Sequence, residues 1–186
     1  MEPMHAQQII EAILFVIGEP VTLKRLGEIA AEVGTAEIRQ LIEALNAEYV
    51  TSGRAFRIQE VAGGYQLVTD QHVAPWVRKA LQNPRPDAVS KGALETLAIV
   101  AYRQPIAKAE IEAIRGVDVT AALDTLVERR FVRVAGRKES PGRPFLYGTT
   151  AEFLRHFGLR SIEALPTLQL PTVQEPPGVP AGLHGQ

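Results

Sequence analysis

From Leu94 to Ile114 apolar residues recur at a helical period, break off at Arg103-Gln104-Pro105, and resume as a shorter periodic run. The same pattern stands 85 positions earlier. Ile9 takes the place of Leu94, Ile13 of Ala98, Leu14 of Ile99, Ile17 of Tyr102, Pro20 of Pro105, Val21 of Ile106, Leu26 of Ile111 and Ile29 of Ile114. The match continues as Ile38 for Leu123, Leu41 for Leu126 and Ile42 for Val127. A shared apolar pattern at fixed offset predicts two copies of one structural unit.

In the first copy, Ile9, Ile10, Ile13, Leu14 and Ile17 follow the i, i+1, i+4, i+5, i+8 spacing of a helix with a wide buried stripe. Phe15 and Val16 carry apolar surface further round the cylinder, so this helix needs cover on more than one side. Gly18-Glu19-Pro20 stops it, because proline lacks the amide donor and glycine suits a helix end. Thr22 is the expected cap of a short helix with Leu23, Leu26, Ile29 and Ala30 inward, ended by Gly34. Thr35 is the expected cap of a longer third helix with Ile38, Leu41, Ile42, Leu45 and Tyr49 on one face. After Gly53 the period changes to alternation, with Phe56, Ile58 and Val61 opposed to Arg57 and Glu60. Gly63-Gly64 then reads as the two-residue turn of a hairpin that returns through Tyr65, Leu67 and Val68. Asp70 is placed to cap a helix carrying Val73, Trp76, Val77, Ala80 and Leu81, and Asn83-Pro84-Arg85-Pro86-Asp87 breaks the chain.

The second copy repeats this order. Ser90 caps a helix with Leu94, Leu97, Ala98, Ala101 and Tyr102 inward; a short helix from Lys108 ends at Gly116. The third helix, Val119 to Arg129, turns Val119, Ala122, Leu123, Leu126 and Val127 inward. Phe131, Val132 and Val134 form a strand, residues 136–144 a polar loop, and Phe145-Leu146-Tyr147 the return. A short helix with Phe153, Leu154 and Phe157 follows, then a turn over 161–165. Three helices and a hairpin, twice, predict a mostly α fold with small β-hairpins (α+β): two tandem winged-helix domains. Their expected limits are 1–82 and 90–166, joined by a linker at 83–89. The stretch 167–186, with four prolines and little apolar surface, is expected to be a disordered Pro-rich tail.

Composition narrows the function classes. With 46% hydrophobic and 22% charged residues the chain is ordinary globular material, and zero cysteines exclude disulfides and thiolate metal sites. The longest apolar run, 12–18, is far short of a membrane span, and no basic segment leads a cleavage site, so a cytoplasmic chain is expected. His5, His72, His156 and His184 have no i, i+4 partner, and no glycine-rich phosphate loop follows a strand. No enzyme, metal or cofactor constellation emerges.

A winged helix suggests DNA binding, which charge can test. Recognition helices present Arg, Lys, Asn or Gln to bases and phosphates. The first third helix instead carries Glu37, Arg39, Glu43 and Glu48, net −2, and the second Asp124, Glu128, Arg129 and Arg130, net zero. Residues 1–82 hold seven basic and ten acidic side chains (net −3), and residues 83–186 thirteen and eleven (net +2). Only the second hairpin is basic, with Arg133, Arg137, Lys138 and Arg143 against Glu139. Protein contact, with those arginines paired to protein carboxylates, is favoured over a phosphate contact. A winged-helix transcription regulator remains the alternative.

The run Ala93-Leu94-Glu95-Thr96-Leu97-Ala98-Ile99-Val100-Ala101-Tyr102-Arg103-Gln104-Pro105-Ile106 and the segment Ile114-Arg115-Gly116-Val117 resemble the ScpB family, segregation and condensation protein B. So do Gly136-Arg137-Lys138, Pro141-Gly142-Arg143-Pro144 and Leu146-Tyr147-Gly148-Thr149-Thr150. The chain departs from the family pattern at Val119-Thr120-Ala121 and at Arg130, where the family often has glycine. The resemblance implies a non-catalytic, nucleoid-associated subunit of the bacterial condensin-like complex. It implies a homodimer that binds the kleisin ScpA and, through it, the SMC ATPase, acting in chromosome segregation. DNA contact would be indirect or weak, and no cofactor is implied. Pairing would fall on the first domain, through Ile9, Ile10, Ile13 and Phe15. Kleisin contact would fall on the second, through Arg137, Lys138, Arg143, Tyr147, Tyr102 and Arg103, with Arg137, Arg143 and Tyr147 lining an accessible face of the hairpin.

Overall fold

Each helix begins and ends where the sequence changes character. In the computed structural model, residues 3–30, 33–81 and 89–167 are described. The linker at 83–89 and the tail at 167–186 therefore lie outside the described residues, except for Val89 and Thr167. Helix α1 (Pro3–Ile17) stops at Gly18, whose φ of +63° suits glycine. Thr22 caps α2 (Leu23–Ile29), its hydroxyl accepting from the Arg25 amide at 3.2 Å. The third helix, α3 (Thr35–Thr51), has Gly34 rather than Thr35 at the capping position, and no side chain caps it.

Strands β1 (Phe56–Val61) and β2 (Gly64–Thr69) pair antiparallel, with Val61 opposite Gly64. The turn is therefore Ala62-Gly63, at φ +50° and +75°, and not Gly63-Gly64. Gly64 has another duty. A Cβ there would lie 2.9 Å from the Val21 carbonyl carbon, because Val21 bridges to Tyr65 through two 2.8 Å backbone hydrogen bonds. Asn46 of α3 clamps β1 from its other edge: its Oδ1 accepts from the Ile58 amide at 2.8 Å and its Nδ2 donates to the Ile58 carbonyl at 2.9 Å. Ala6, Ile10, Leu14, Leu26, Ile38, Ile42, Leu45, Tyr49, Ile58 and Tyr65 make one core cluster. Beyond the hairpin, α4 (Ala74–Leu81) buries no residue.

The second half has α5 (Lys91–Arg103), a two-residue strand β3 (Ile106–Ala107), α6 (Lys108–Arg115) and α7 (Thr120–Glu128). Strands β4 (Val132–Arg137) and β5 (Phe145–Thr149), then α8 (Ala151–Phe157), complete it. The sheet order is β3-β5-β4. Ser90 caps α5 and Gly116, at φ +69°, ends α6. A second core cluster gathers Ala93, Leu97, Val100, Ile106, Ile111, Val119, Leu123, Leu126, Phe131 and Phe153. The chain is thus a mixed α/β protein of eight α-helices and two small sheets among the described residues.

The two halves touch through polar groups. The amides of Ala62 and Gly63 donate to the carbonyls of Leu159 and Arg160 at 2.8 and 3.0 Å, and Arg155 pairs with Glu19 at 3.2 Å.

The repeat holds for the turn and the second helices, with Val21 and Ile106 both bridging to a strand and Leu26 and Ile111 both fully buried. The first helices do not follow it. The buried residues of α1 are Ala6, Ile10 and Leu14, and those of α5 are Ala93, Thr96, Leu97, Val100 and Ala101, which at the fixed offset fall on Gln8, Glu11, Ala12, Phe15 and Val16, outside the buried row of α1. Leu94, Ala98 and Tyr102, expected inward, are exposed for this reason. Ile29, Val127 and Phe157 also turn outward, since each lies at the margin of its helix's apolar stripe.

Candidate partner-binding surfaces

α1 presents more apolar surface than its own fold covers. Phe15 and Val16 are 75% and 78% exposed, while Ile9 and Ile13 are half-buried. Ile10, expected at a pairing surface, is fully buried in the core, because its neighbours Ala6 and Leu14 are the stripe that α3 covers. Between α1 and the hairpin lies a groove of about 600 Å³ lined by Leu14, Phe15, Phe56, Leu67 and Val68. Glu11, also on this groove, accepts from the Tyr49 hydroxyl at 2.9 Å. Burial, and then this hydrogen bond, hold the Tyr49 pKa well above its ordinary value. Trp76 on α4 is exposed as well. Its 3.6-spaced neighbours predicted a helix; nothing in that pattern told that no core would meet it.

In the second half, several motif residues turn out to be internal braces. Gln104 Oε1 accepts from the Thr149 amide at 2.6 Å and the Thr149 hydroxyl at 3.0 Å, and its Nε2 donates to the Ala101 carbonyl at 3.2 Å. This ties the end of α5 to the end of β5, with the Gln104-Pro105 peptide bond cis. Arg115 reaches from α6 to the start of α5, donating to the Gly92 carbonyl at 2.6 Å and the Thr96 hydroxyl at 2.7 Å and pairing with Glu95 at 3.0 Å. Glu110 closes the start of α6 by accepting from the Ala107 amide at 2.9 Å, and it pairs with Lys138 at 2.8 Å. The Lys138 ammonium, and then the Ala107 amide, hold the Glu110 carboxyl below its ordinary pKa. Lys138 is thereby engaged within the fold.

The basic hairpin is not one patch. A bulge between Val134 and Gly136 sets Arg133 opposite Gly148 and Arg137 opposite Phe145. Those partners are three positions apart on β5, so the two arginines leave opposite faces of the sheet. Arg137 lies over the Phe145 ring, 4.2 Å from its centroid, and donates to the Arg143 carbonyl at 3.2 Å. Arg137 and Arg143 are exposed, as expected of an accessible face. Tyr147 is half-buried, opposite Ile106 and packed on the second core, because it lies on the sheet face that covers α5. Among the described residues no ion pair joins Arg133, Arg137 or Arg143 to a carboxylate of the chain itself.

The outward row Leu94, Ala98 and Tyr102 forms one wall of a second apolar groove, of about 320 Å³. Phe157, Leu159 and Leu165 form the other. At its end the Tyr102 hydroxyl donates to the Pro166 carbonyl at 2.7 Å, and exposed Arg103 stands beside it. Helical spacing alone assigned this row to the core; its exposure follows from the face that α5 turns inward, which is Ala93, Thr96, Leu97, Val100 and Ala101.

Among the described residues no group of three His, Cys, Asp or Glu side chains could hold a metal ion, and no helix is long and apolar enough to cross a membrane. His72 is paired with Asp70 at 2.6 Å, and His156 packs against Phe131.

Comparison with known proteins agrees with the motifs. The family described as "Segregation and condensation complex subunit ScpB" matches residues 8–168. Segregation and condensation protein B of Symbiobacterium thermophilum is 49% identical over 168 residues, 90% of this chain and 76% of that protein. Its namesake in Syntrophotalea carbinolica is 46% identical over 91% of this chain and 85% of its own length. A solved dimer of an ScpB N-terminal domain complexed with an ScpA peptide is 28% identical, covers 41% of this chain and 95% of that one, and has a TM-score of 0.39. With a family match over nearly all of the described residues and a relative at 49% identity, the chain belongs to the ScpB family of segregation and condensation complex subunits.

Proposed function

We propose that this protein is a non-catalytic, homodimeric scaffold subunit of a bacterial SMC complex, acting on chromosome condensation and segregation at the nucleoid. In this reading its two halves, 1–82 and 90–166, are tandem winged-helix domains. The first pairs subunits and the second holds the kleisin ScpA, which links it to the SMC ATPase. The observation that carries the pairing role is the outer face of α1, where Phe15 and Val16 are exposed beside half-buried Ile9 and Ile13. Contiguous apolar surface of this kind marks interfaces. For the second domain, Tyr102 and Arg103 at the end of the α5 groove, with Arg137 and Arg143 on the hairpin, are the proposed kleisin contacts. Lys138 and Tyr147 serve the fold first, through Glu110 and the core. DNA contact is weak or indirect, in line with the net negative charge of α3.

Light scattering on eluted protein at micromolar concentration tests the pairing role. The expected mass is twice that of the chain, falling to a single chain in a Phe15→Glu, Val16→Glu variant whose circular dichroism is unchanged. Pull-down from the native cell extract, read by mass spectrometry, should recover a kleisin. A single-chain mass together with no kleisin would refute the proposal.

A further inference from the structure

Helix α4 leaves the first domain with its apolar side uncovered. At about 100° per residue, Trp76, Val77, Ala80 and Leu81 share one arc of about 140°, with Arg78 and Lys79 on its flanks. Trp76 and Leu81 are 68% and 66% exposed, and no residue of the helix is buried. The same domain carries the groove between α1 and the hairpin, walled by Phe15, Phe56, Leu67 and Val68. Along α1 that groove runs from Gln8 to Gly18, about 15 Å, and α4 is about 12 Å long. Its rim is acidic: Glu11 accepts from the Tyr49 hydroxyl, and Glu48 lies near enough to act on the same group. A convex apolar helix with basic flanks and a concave apolar groove with an acidic rim thus stand uncovered on one domain, and each fits the other in shape, length and charge.

We propose that α4 of each chain lies in the α1–hairpin groove of a second copy, with Trp76 against Phe15 and Phe56 of the other copy. This rests on the pairing reading given above and names the second surface of that interface. Two complementary surfaces on one chain satisfy each other twice about a twofold axis, whereas α1 set against α1 would leave α4 and its tryptophan in water. Trp76 and Phe15 each have about 150 Å² to bury. Two copies of the contact hide about 600 Å² through the aromatics alone, and Val16, Val77 and Leu81 carry the total toward the roughly 1,200 Å² of a stable interface.

Trp76 is the chain's one tryptophan, so its fluorescence reports this contact alone. Light scattering and emission are followed together as the full chain is diluted from micromolar concentration. Expected is a shielded Trp76 in the pair, with emission moving to the red and acrylamide quenching rising several-fold as the mass falls to one chain. Trp76→Ala should weaken pairing by about 100-fold, about tenfold at each of two contacts, at unchanged circular dichroism, since α4 supports no core of its own. Phe15→Ala should weaken it too, and the double variant by clearly less than the product of the two losses, because touching residues are not independent. A paired wild type whose Trp76 is quenched as freely as in the diluted chain, or a Trp76→Ala chain that pairs as tightly as wild type, would overturn the proposal and leave the pairing reading intact. Losses that simply multiply would do the same, by giving Trp76 another neighbour. So would shielding of Trp76 that appears only on adding purified ScpA, which would give α4 to the kleisin. A wild type of single-chain mass at micromolar concentration would refute the pairing reading, and this proposal with it.

Discussion

Replacing Gln104 by alanine removes one side chain that joins two elements. In the wild type its Oε1 accepts from both the amide and the hydroxyl of Thr149, at 2.6 and 3.0 Å, and its Nε2 donates to the Ala101 carbonyl at 3.2 Å. Thr149 is half-buried, so water replaces some of these partners but not all. Each net hydrogen bond contributes about 0.5–1.5 kcal/mol, which gives about 2–3 kcal/mol for three. For a chain of this size that is a melting midpoint lower by about 4–12 °C. Gln104→Glu separates the contributions. It keeps both acceptor roles toward Thr149 but loses the donor to Ala101, and it adds negative charge near the carbonyl end of α5, where the helix dipole disfavours it. Glutamate should therefore restore only part of the loss. Differential scanning calorimetry with urea titration measures both variants. A Gln104→Ala protein melting within about 1 °C of wild type would refute the bracing role, since three lost bonds must exceed that shift.

Gly64→Ala should destabilise by about 1–3 kcal/mol in urea titration, because the new Cβ meets the Pro20 and Val21 backbone at 2.9–3.0 Å and neither strand can move aside. Arg130 sits at φ +59°, so Arg130→Gly should stabilise by about 0.5–1 kcal/mol by the same assay, relief of left-handed strain exceeding the gain in unfolded-chain entropy. The depressed Glu110 pKa gives stability that is fully present above the ordinary carboxylate pKa and is lost as pH falls through the folded-state value. Glu110→Gln should accordingly flatten the acid limb of the melting curve as pH falls below the ordinary carboxylate range, and an unchanged limb would count against the Lys138 pair.

Much of the fold is legible from one element at a time. The caps at Thr22 and Ser90, the stripe Ile38, Leu41, Ile42, Leu45 and Tyr49, and the stop at Gly116 each follow from local backbone geometry and stand as expected. The motif residues were legible as a family signature, yet their duties were not. Gln104 and Arg115 read equally well as surface contacts until Thr149 and Gly92 are seen beside them.

What the sequence determined by itself was the order of helices and hairpins, because periodicity records how a backbone repeats. Tertiary structure decided which side of each element faces inward. The row Leu94, Ala98 and Tyr102 has perfect helical spacing but faces a groove, since the core of α5 is set by where α7 and β5 lie and not by its own period. One extra residue in β4 likewise sends Arg133 and Arg137 to opposite faces, and one residue moves the first turn from Gly63-Gly64 to Ala62-Gly63. A period of two or 3.6 leaves such phases open, and only packing against neighbours closes them.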